Sequence, residues 1–210
     1  MTLYVPDIQE HYHSIHGAVR ESRHVFIQAG LLHSKLKQIR IFEMGFGTGL
    51  NALLTLLEAK KKNITIQYDT IDIFPLSINI IQKLNYPELL TSESRDLFKT
   101  IHSKQWNETH QITSFFHLTK MNANLQTHDT GTRYDLVYFD AFNPRVQPEL
   151  WSPGVFKKLF NFMNPGGILT TYSATGWVRR NMLGAGFKVE KYPGPPGKRD
   201  MLRATKPGVG

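Results

Sequence analysis

The chain has 210 residues, 40% of them hydrophobic, with 25 Lys and Arg against 17 Asp and Glu for a formal charge of +8; that is enough for one domain with its own core and a small appendage. It contains no Cys, which excludes disulfides, thiol catalysis and cysteine-based metal sites. No apolar run reaches the roughly 18 residues of a membrane span and no signal-peptide pattern opens the chain, so a cytoplasmic location is expected, and the basic excess favours a polyanionic partner without identifying one.

Residues 1–37 read as an N-terminal extension rich in His, Arg and Glu, expected to pack over the active site. Within it Val25, Phe26, Leu31 and Leu32 suggest a short helix closing over the core. Residues 38–210 read as a single α/β domain. Gln38 to Met44 is the first strand, and Leu50, Leu53, Leu54 and Leu57 form the apolar face of a helix. Ile64 to Ile73 is the second strand, and Pro75 opens a helix with Ile78, Ile81 and Leu84 inward. Residues 85–110 read as irregular, and Gln111 to Met121 as one strand. Tyr134 to Asp140 is a short apolar strand ending in a carboxylate. Ser152-Pro153 starts a helix that Gly166-Gly167 ends, followed by a strand from Ile168 to Tyr172 and a helix from Thr175 to Leu183. Phe187 to Tyr192 and Met201 to Ala204 make a final antiparallel hairpin.

Strand–helix alternation implies a mostly parallel sheet, whose ligands bind beyond the carboxyl ends of the strands. Three polar features stand at those ends. The first is Glu43-Met44-Gly45-Phe46-Gly47-Thr48-Gly49-Leu50-Asn51, where glycines let backbone approach a ligand and the following helix offers free N–H groups. Its Gly-x-Gly-x-Gly spacing differs from the dinucleotide fingerprint and favours S-adenosyl-L-methionine over NAD. The second is Asp72, about 20 residues beyond the loop, where a ribose-binding acid is expected; the alternative is a strand-end or helix-capping Asp. The third is Asp140, in Asp140-Ala141-Phe142-Asn143-Pro144, placed to hold an amine by a charge-assisted hydrogen bond. Phe142 would wall the pocket or stack on a base; the alternative is a turn Asp followed by a core Phe. Glu43 is open to two readings, a structural carboxylate or a contact to the cofactor's ammonium.

Arg179, Arg180, Lys198 and Arg199 are candidate phosphate contacts; each can equally be surface charge, and Arg179 can snorkel from an apolar face. His11, His13 and His16 do not have a metal-site spacing, so no metal is expected. No Gly-x-Ser-x-Gly elbow is present.

These segments resemble the methyltransferase half of the bifunctional tRNA wobble-uridine modification enzymes (MnmC) and their stand-alone relatives (MnmD). The resemblance runs in order from residue 21 to 201. Besides the glycine loop it rests on Glu21-Ser22-Arg23-His24-Val25-Phe26, Phe74-Pro75-Leu76, Tyr134 to Pro144 and Pro148-Glu149-Leu150-Trp151. Pro165-Gly166-Gly167, Gly176-Trp177-Val178-Arg179-Arg180, Gly184 to Val189 and Lys198-Arg199-Asp200-Met201 complete it. The glycine loop is generic to class I methyltransferases; the Asp140, Trp151 and twin-Arg segments are more specific.

The resemblance implies a class I, Rossmann-like fold that methylates the amine of 5-aminomethyl-(2-thio)uridine at the tRNA wobble position, with S-adenosyl-L-methionine as donor. The cofactor residues would be Glu43, Gly45, Gly47, Gly49, Asn51, Asp72, Asn122 and Asp140. Asp140 would also be catalytic, and Phe142, Trp177, Arg179, Arg180, Lys198 and Arg199 would meet the anticodon loop. Where the family carries an acid after the third strand, this chain offers Asn122, Ala123 and Asn124, so Asn122 would bond adenine. The family's second, FAD-dependent half has no counterpart within 210 residues, so separate enzymes would have to install the aminomethyl group. The rival readings are a spermidine-synthase-like aminopropyltransferase, which shares the Tyr134 to Asp140 pattern, and a non-catalytic RNA-binding protein on the same fold.

Overall fold

A computed structural model describes residues 4–5, 10–11 and 15–208 of the chain. Side-chain parity along β3 (Gln38–Met44) sets its layers. Ile39 and Ile41 enter one core, Phe42 and Met44 the other, because successive strand residues point to opposite faces. A strand covered on both faces tends toward a continuous apolar run; in β3 that run is broken by exposed Gln38 and Arg40 and by the buried carboxyl of Glu43.

The main sheet has eight strands in the order β5-β6-β4-β3-β7-β8-β10-β9. Their ranges are β4 Thr65–Asp72, β5 Thr109–Thr113, β6 Phe116–Asn122, β7 Tyr134–Phe139, β8 Met163–Thr171, β9 Lys188–Pro193 and β10 Asp200–Thr205. The five central strands are parallel; β5 runs antiparallel to β6, and β10 antiparallel to both β8 and β9. This is the expected architecture, with the final hairpin folded so that its last strand inserts beside β8. Tyr4–Val5 and Glu10–His11 form a separate antiparallel pair, β1 and β2.

One face of the sheet carries α1 (Ile15–Ser22), α2 (Leu50–Lys62) and α4 (Ser94–Ser103); the other carries α5 (Pro153–Phe162) and α6 (Gly176–Ala185). Helix α1 runs into a π-helical turn, Arg23–Gln28, in which Val25, Phe26 and Ile27 are all buried. The Phe26 ring lies 5.1 Å from that of Tyr138 on β7. Leu31 is buried in the short turn that follows, whereas Leu32 is 41% exposed and does not close the core.

Four sequence expectations are corrected. The irregular stretch 85–110 contains α4, whose Phe98 and Ile101 are buried and whose Leu97 packs partly beside them; three apolar residues on an otherwise polar helix leave a thin periodic signal. The single strand from Gln111 is a hairpin, β5 and β6, with an irregular register between Gln111 and Thr113. The helix from Pro75 shrinks to α3 (Ile78–Ile81), which buries none of its residues. Finally, Gly166 and Gly167 lie inside β8 instead of ending α5. Pro165 disfavours helical backbone at the residue before it, so the helix stops at Phe162 with Met163 already extended. The two glycines accompany a register shift against β7, and a Cβ on Gly167 would stand 2.9 Å from Asn164 O.

Candidate active site

The carboxyl ends of β3, β4 and β7 open onto one cavity of about 430 Å3, lined by Gly45, Gly47, Thr48, Asn51, Asp72, Asp140 and Phe142 among others. That volume is typical of small-molecule sites, about 300–1,000 Å3. Backbone hydrogen bonds carry the sheet into its floor: the Gly45 N–H donates to Ile71 O at 3.0 Å and the Asp140 N–H to Met44 O at 3.1 Å. Gly45 has φ +91° and would place a Cβ 2.9 Å from Asp140 O. Gly49 caps α2 in the left-handed region, φ +70°, and a Cβ there would meet His102 Nε2 at 2.8 Å. Only a residue without a side chain satisfies both constraints. Gly47, also at positive φ, donates its N–H to Asp72 Oδ2 at 3.0 Å.

Asp72 accepts a second backbone N–H, from Phe74 at 2.9 Å through Oδ1. The carboxylate therefore ties the glycine loop to the end of β4 while still lining the cavity; lone pairs remain for ribose hydroxyls. Asp140 is partly open to the cavity and accepts from Asn51 Nδ2 at 2.8 Å. Burial pushes its pKa up to about 7; the Asn51 bond and the Lys198 charge oppose that rise, while Glu21 adds to it. Asn51 Oδ1 is buried without a hydrogen-bond partner in the structure.

Glu43 is fully buried and does not line the cavity. It lies between Thr70 and Tyr138 on the neighbouring strands, on the sheet face that packs against α2. Neither of its oxygens finds a partner in hydrogen-bonding geometry. Desolvation raises its pKa to about 8; nearby Thr70, Asn51 and Tyr68 oppose the rise and Asp140 reinforces it. A carboxyl that titrates so high is mostly neutral at pH 7, which is how a buried acid avoids the cost of an unpaired charge.

Asn122 is exposed, and its Nδ2 donates to Asp72 O at 3.0 Å; it braces the end of β4 and does not line the cavity, whereas Asn124 does. Trp177, Arg179, Arg180, Lys198 and Arg199 also lie outside the cavity lining. Trp177 packs partly against the α5–α6 core, Arg180 and Arg199 are exposed, and Arg179 is half-buried. Among the described residues no cluster of three or more His, Asp or Glu could hold a metal, and no helix is long and apolar enough to cross a membrane. His13 and the side chains of His11 and His16 lie outside the described residues.

Sequence reasoning missed the supports of the two loops. The Trp151 indole N–H donates to Phe142 O at 2.8 Å, and Tyr172 Oη donates to Ala141 O at 2.9 Å, so the segment after Asp140 is pinned by two buried or half-buried aromatic side chains. Beneath the glycine loop, His102 Nε2 bonds Thr48 O at 3.2 Å. Burial pulls the His102 pKa down to about 4, so the ring is neutral and its proton sits on Nε2, facing the carbonyl. Lys120 donates to His102 O at 3.1 Å and stands over the Phe46 and Trp106 rings at 5.5 and 5.2 Å. Burial lowers its pKa to about 8. At the other rim, Phe74 lines the cavity with 70% of its surface exposed.

The floor fits S-adenosyl-L-methionine: glycines where a Cβ would collide, an unpartnered buried amide oxygen on Asn51, and a strand-end acid, Asp72, lining the same cavity. The chain is similar to the tRNA 5-methylaminomethyl-2-thiouridine biosynthesis bifunctional protein MnmC of Pseudomonas entomophila, at 29% identity over 214 residues covering 94% of this chain and 32% of that protein. The same-named protein of Cupriavidus metallidurans is 30% identical over 219 residues, covering 97% and 32%. The chain thus spans about a third of the length of these curated relatives. Among solved structures, MnmC2 from Aquifex aeolicus superposes with a TM-score of 0.80 at 23% identity, over 99% of this chain and 68% of that one. The glycopeptide N-methyltransferase MtfA, solved with S-adenosylmethionine, superposes with 0.54 at 12% identity, over 91% and 94%; at such identities both likenesses speak for the fold. The family of S-adenosyl-L-methionine-dependent methyltransferases matches residues 87–207, more than half of the chain, and to that family this protein belongs.

Proposed function

We propose that the chain methylates the primary amine of 5-aminomethyl-(2-thio)uridine at the wobble position of tRNA, giving 5-methylaminomethyl-(2-thio)uridine. The observation that carries this reading is Asp140, a carboxylate fixed by Asn51 on the wall of the cavity that the glycine loop and Asp72 also line. The names of the relatives supply the acceptor: each is a protein of 5-methylaminomethyl-2-thiouridine biosynthesis.

When bound, S-adenosyl-L-methionine supplies an electrophilic methyl group. Gly45, Gly47, Gly49 and Asp72 would hold the cofactor, Asp72 by accepting from ribose hydroxyls. Asp140 meets the incoming ammonium through Oδ1, the oxygen that Asn51 leaves open, and aims its nitrogen at the methyl group; such positioning supplies much of the rate in a two-reactant step. The amine must shed a proton before it can attack. With a pKa near 7, Asp140 accepts that proton at lower cost than an ordinary Asp. Phe142 walls the pocket and excludes water. The wobble base, single-stranded in its loop, splays in without breaking a duplex. Arg180, Arg199 and Lys198 meet anticodon phosphates, so affinity falls as salt rises.

The test is incubation with isotopically labelled S-adenosyl-L-methionine and tRNA from cells arrested at the aminomethyl stage, followed by nucleoside digestion. Label is expected in 5-methylaminomethyl-type uridine; unlabelled wobble uridine with active cofactor and correct tRNA overturns the proposal.

A further inference from the structure

Glu21 is shared by two cavities. With Asp140 and Tyr172 it lines the cofactor cavity, and with Arg20, the turn at Pro195 and Pro196, and Lys198 it lines a second cavity of about 210 Å3. The Lys198 ammonium pairs with Glu21 Oε1 and stands 4.5 Å above the centre of the Tyr172 ring. Tyr172 is itself fixed by its hydroxyl on Ala141 O, one residue past Asp140.

A carboxylate beside an aromatic face is a general site for an alkyl ammonium. Here the ammonium is the protein's own. The pair is partly buried, with side-chain exposures of 33% for Lys198 and 17% for Glu21, so the carboxylate is screened less than a surface acid. Glu21 and Lys198 act on the titration of Asp140 in opposite directions, which puts both charges within electrostatic reach of the group that would orient the acceptor.

We propose that Glu21 and Tyr172 form an ammonium site for the acceptor, occupied in the free protein by Lys198 and yielded to the incoming amine. The acceptor's cation is then held between Asp140 and Glu21, and the displaced Lys198 turns to the nucleic-acid backbone beside the second cavity. This rests on the reading above, that the acceptor is an alkyl amine.

The test uses two cofactor analogues on the full chain, so it does not depend on tRNA turnover. Sinefungin carries a primary ammonium where the cofactor carries its transferable methyl group, and S-adenosyl-L-homocysteine carries nothing there. The two share their adenosine and amino-acid ends, so the ratio of their dissociation constants by calorimetry isolates the ammonium's surroundings. Glu21→Gln is expected to weaken sinefungin about 10-fold and to leave S-adenosyl-L-homocysteine within about twofold. Lys198→Met is expected to tighten sinefungin several-fold, because the carboxylate loses its resident cation. Equal losses for both analogues, or an unchanged ratio in both variants, would make the ion pair a purely structural clasp and overturn the proposal. Should Glu21→Gln fail to fold, Lys198→Met decides alone: a raised preference for sinefungin supports the site, and an unchanged or lowered one refutes it. Absence of wobble methylation by the unaltered chain would instead sink the functional reading while the analogue ratio still reports on Glu21.

Discussion

The floor of the cavity and its acceptor-side wall are built by different means. Backbone donors make the floor: N–H groups of Gly45 and Asp140 are spent on Ile71 O and Met44 O at the strand ends, and that of Gly47 on the Asp72 carboxylate. Side chains from distant segments make the wall. Glu21 and Lys198 are 177 residues apart, Trp151 reaches Phe142 O, and Tyr172 reaches Ala141 O. A floor of backbone fixes one ligand shape and admits few substitutions, whereas a wall of side chains can be re-aimed by rotamer changes. Under the proposed function, the choice of acceptor would rest on this side-chain wall and not on the backbone floor.

Asp140, where floor meets wall, offers the largest effect. Asp140→Ala should lower kcat/KM for methyl transfer by roughly 10²–10³-fold while the chain still binds S-adenosyl-L-homocysteine; near-normal turnover would remove Asp140 from the chemistry. Glu43, under the floor, sharpens the contrast through pH. The unfolded chain loses this proton near 4.5 and the folded one near 8. Between those values the folded state binds more protons, so stability falls as pH rises and levels off above about 8. Asp140 adds a loss of the same sign up to about 7. Glu43→Gln should flatten most of this decline, worth on the order of 2–4 kcal/mol between pH 5 and pH 9; urea melts at both pH values would show an unaltered decline if Glu43 were not its source. Gly45→Ala attacks the backbone directly: the positive φ and the approach to Asp140 O should cost about 1–3 kcal/mol and weaken cofactor binding, both measurable by urea and ligand titration. Arg180→Ala, beyond the wall, should be mildest. It should weaken tRNA binding a few-fold and reduce the slope of log affinity against log salt by about one; an unchanged slope would place that guanidinium off the nucleic acid.

The floor was legible in the sequence because its determinants are local. Gly45, Gly47 and Gly49 announce a left-handed loop, and Asp72 and Asp140 end apolar runs, so strand ends and polar residues could be matched by position alone. The wall was not, because nothing in one segment names its partner in another. Helix α6 was expected over nearly its observed range, yet periodicity could not say that Trp177 and Arg179 stay out of the cavity lining. His102 and Lys120 were hidden for a related reason: α4 fell in the polar stretch 85–110, and the rings under Lys120 are Phe46 from the glycine loop and Trp106 from that same polar stretch. The Glu21-Ser22-Arg23-His24 segment signalled kinship without revealing that Glu21 faces the cavity.

The π-helical turn at Arg23–Gln28 also fixes an angular phase. Such a turn amounts to one residue inserted into an α-helix, and each residue advances the helix by about 100°. Removing one residue from the turn should leave its buried Val25 and Phe26 seeking the same core while rotating α1 by about that angle. Ala18 and Glu21 would swing away from the cavity they line, carrying Lys198's partner with them. The single extra residue thus acts as a spacer that times which side of an otherwise ordinary helix looks into the reaction chamber.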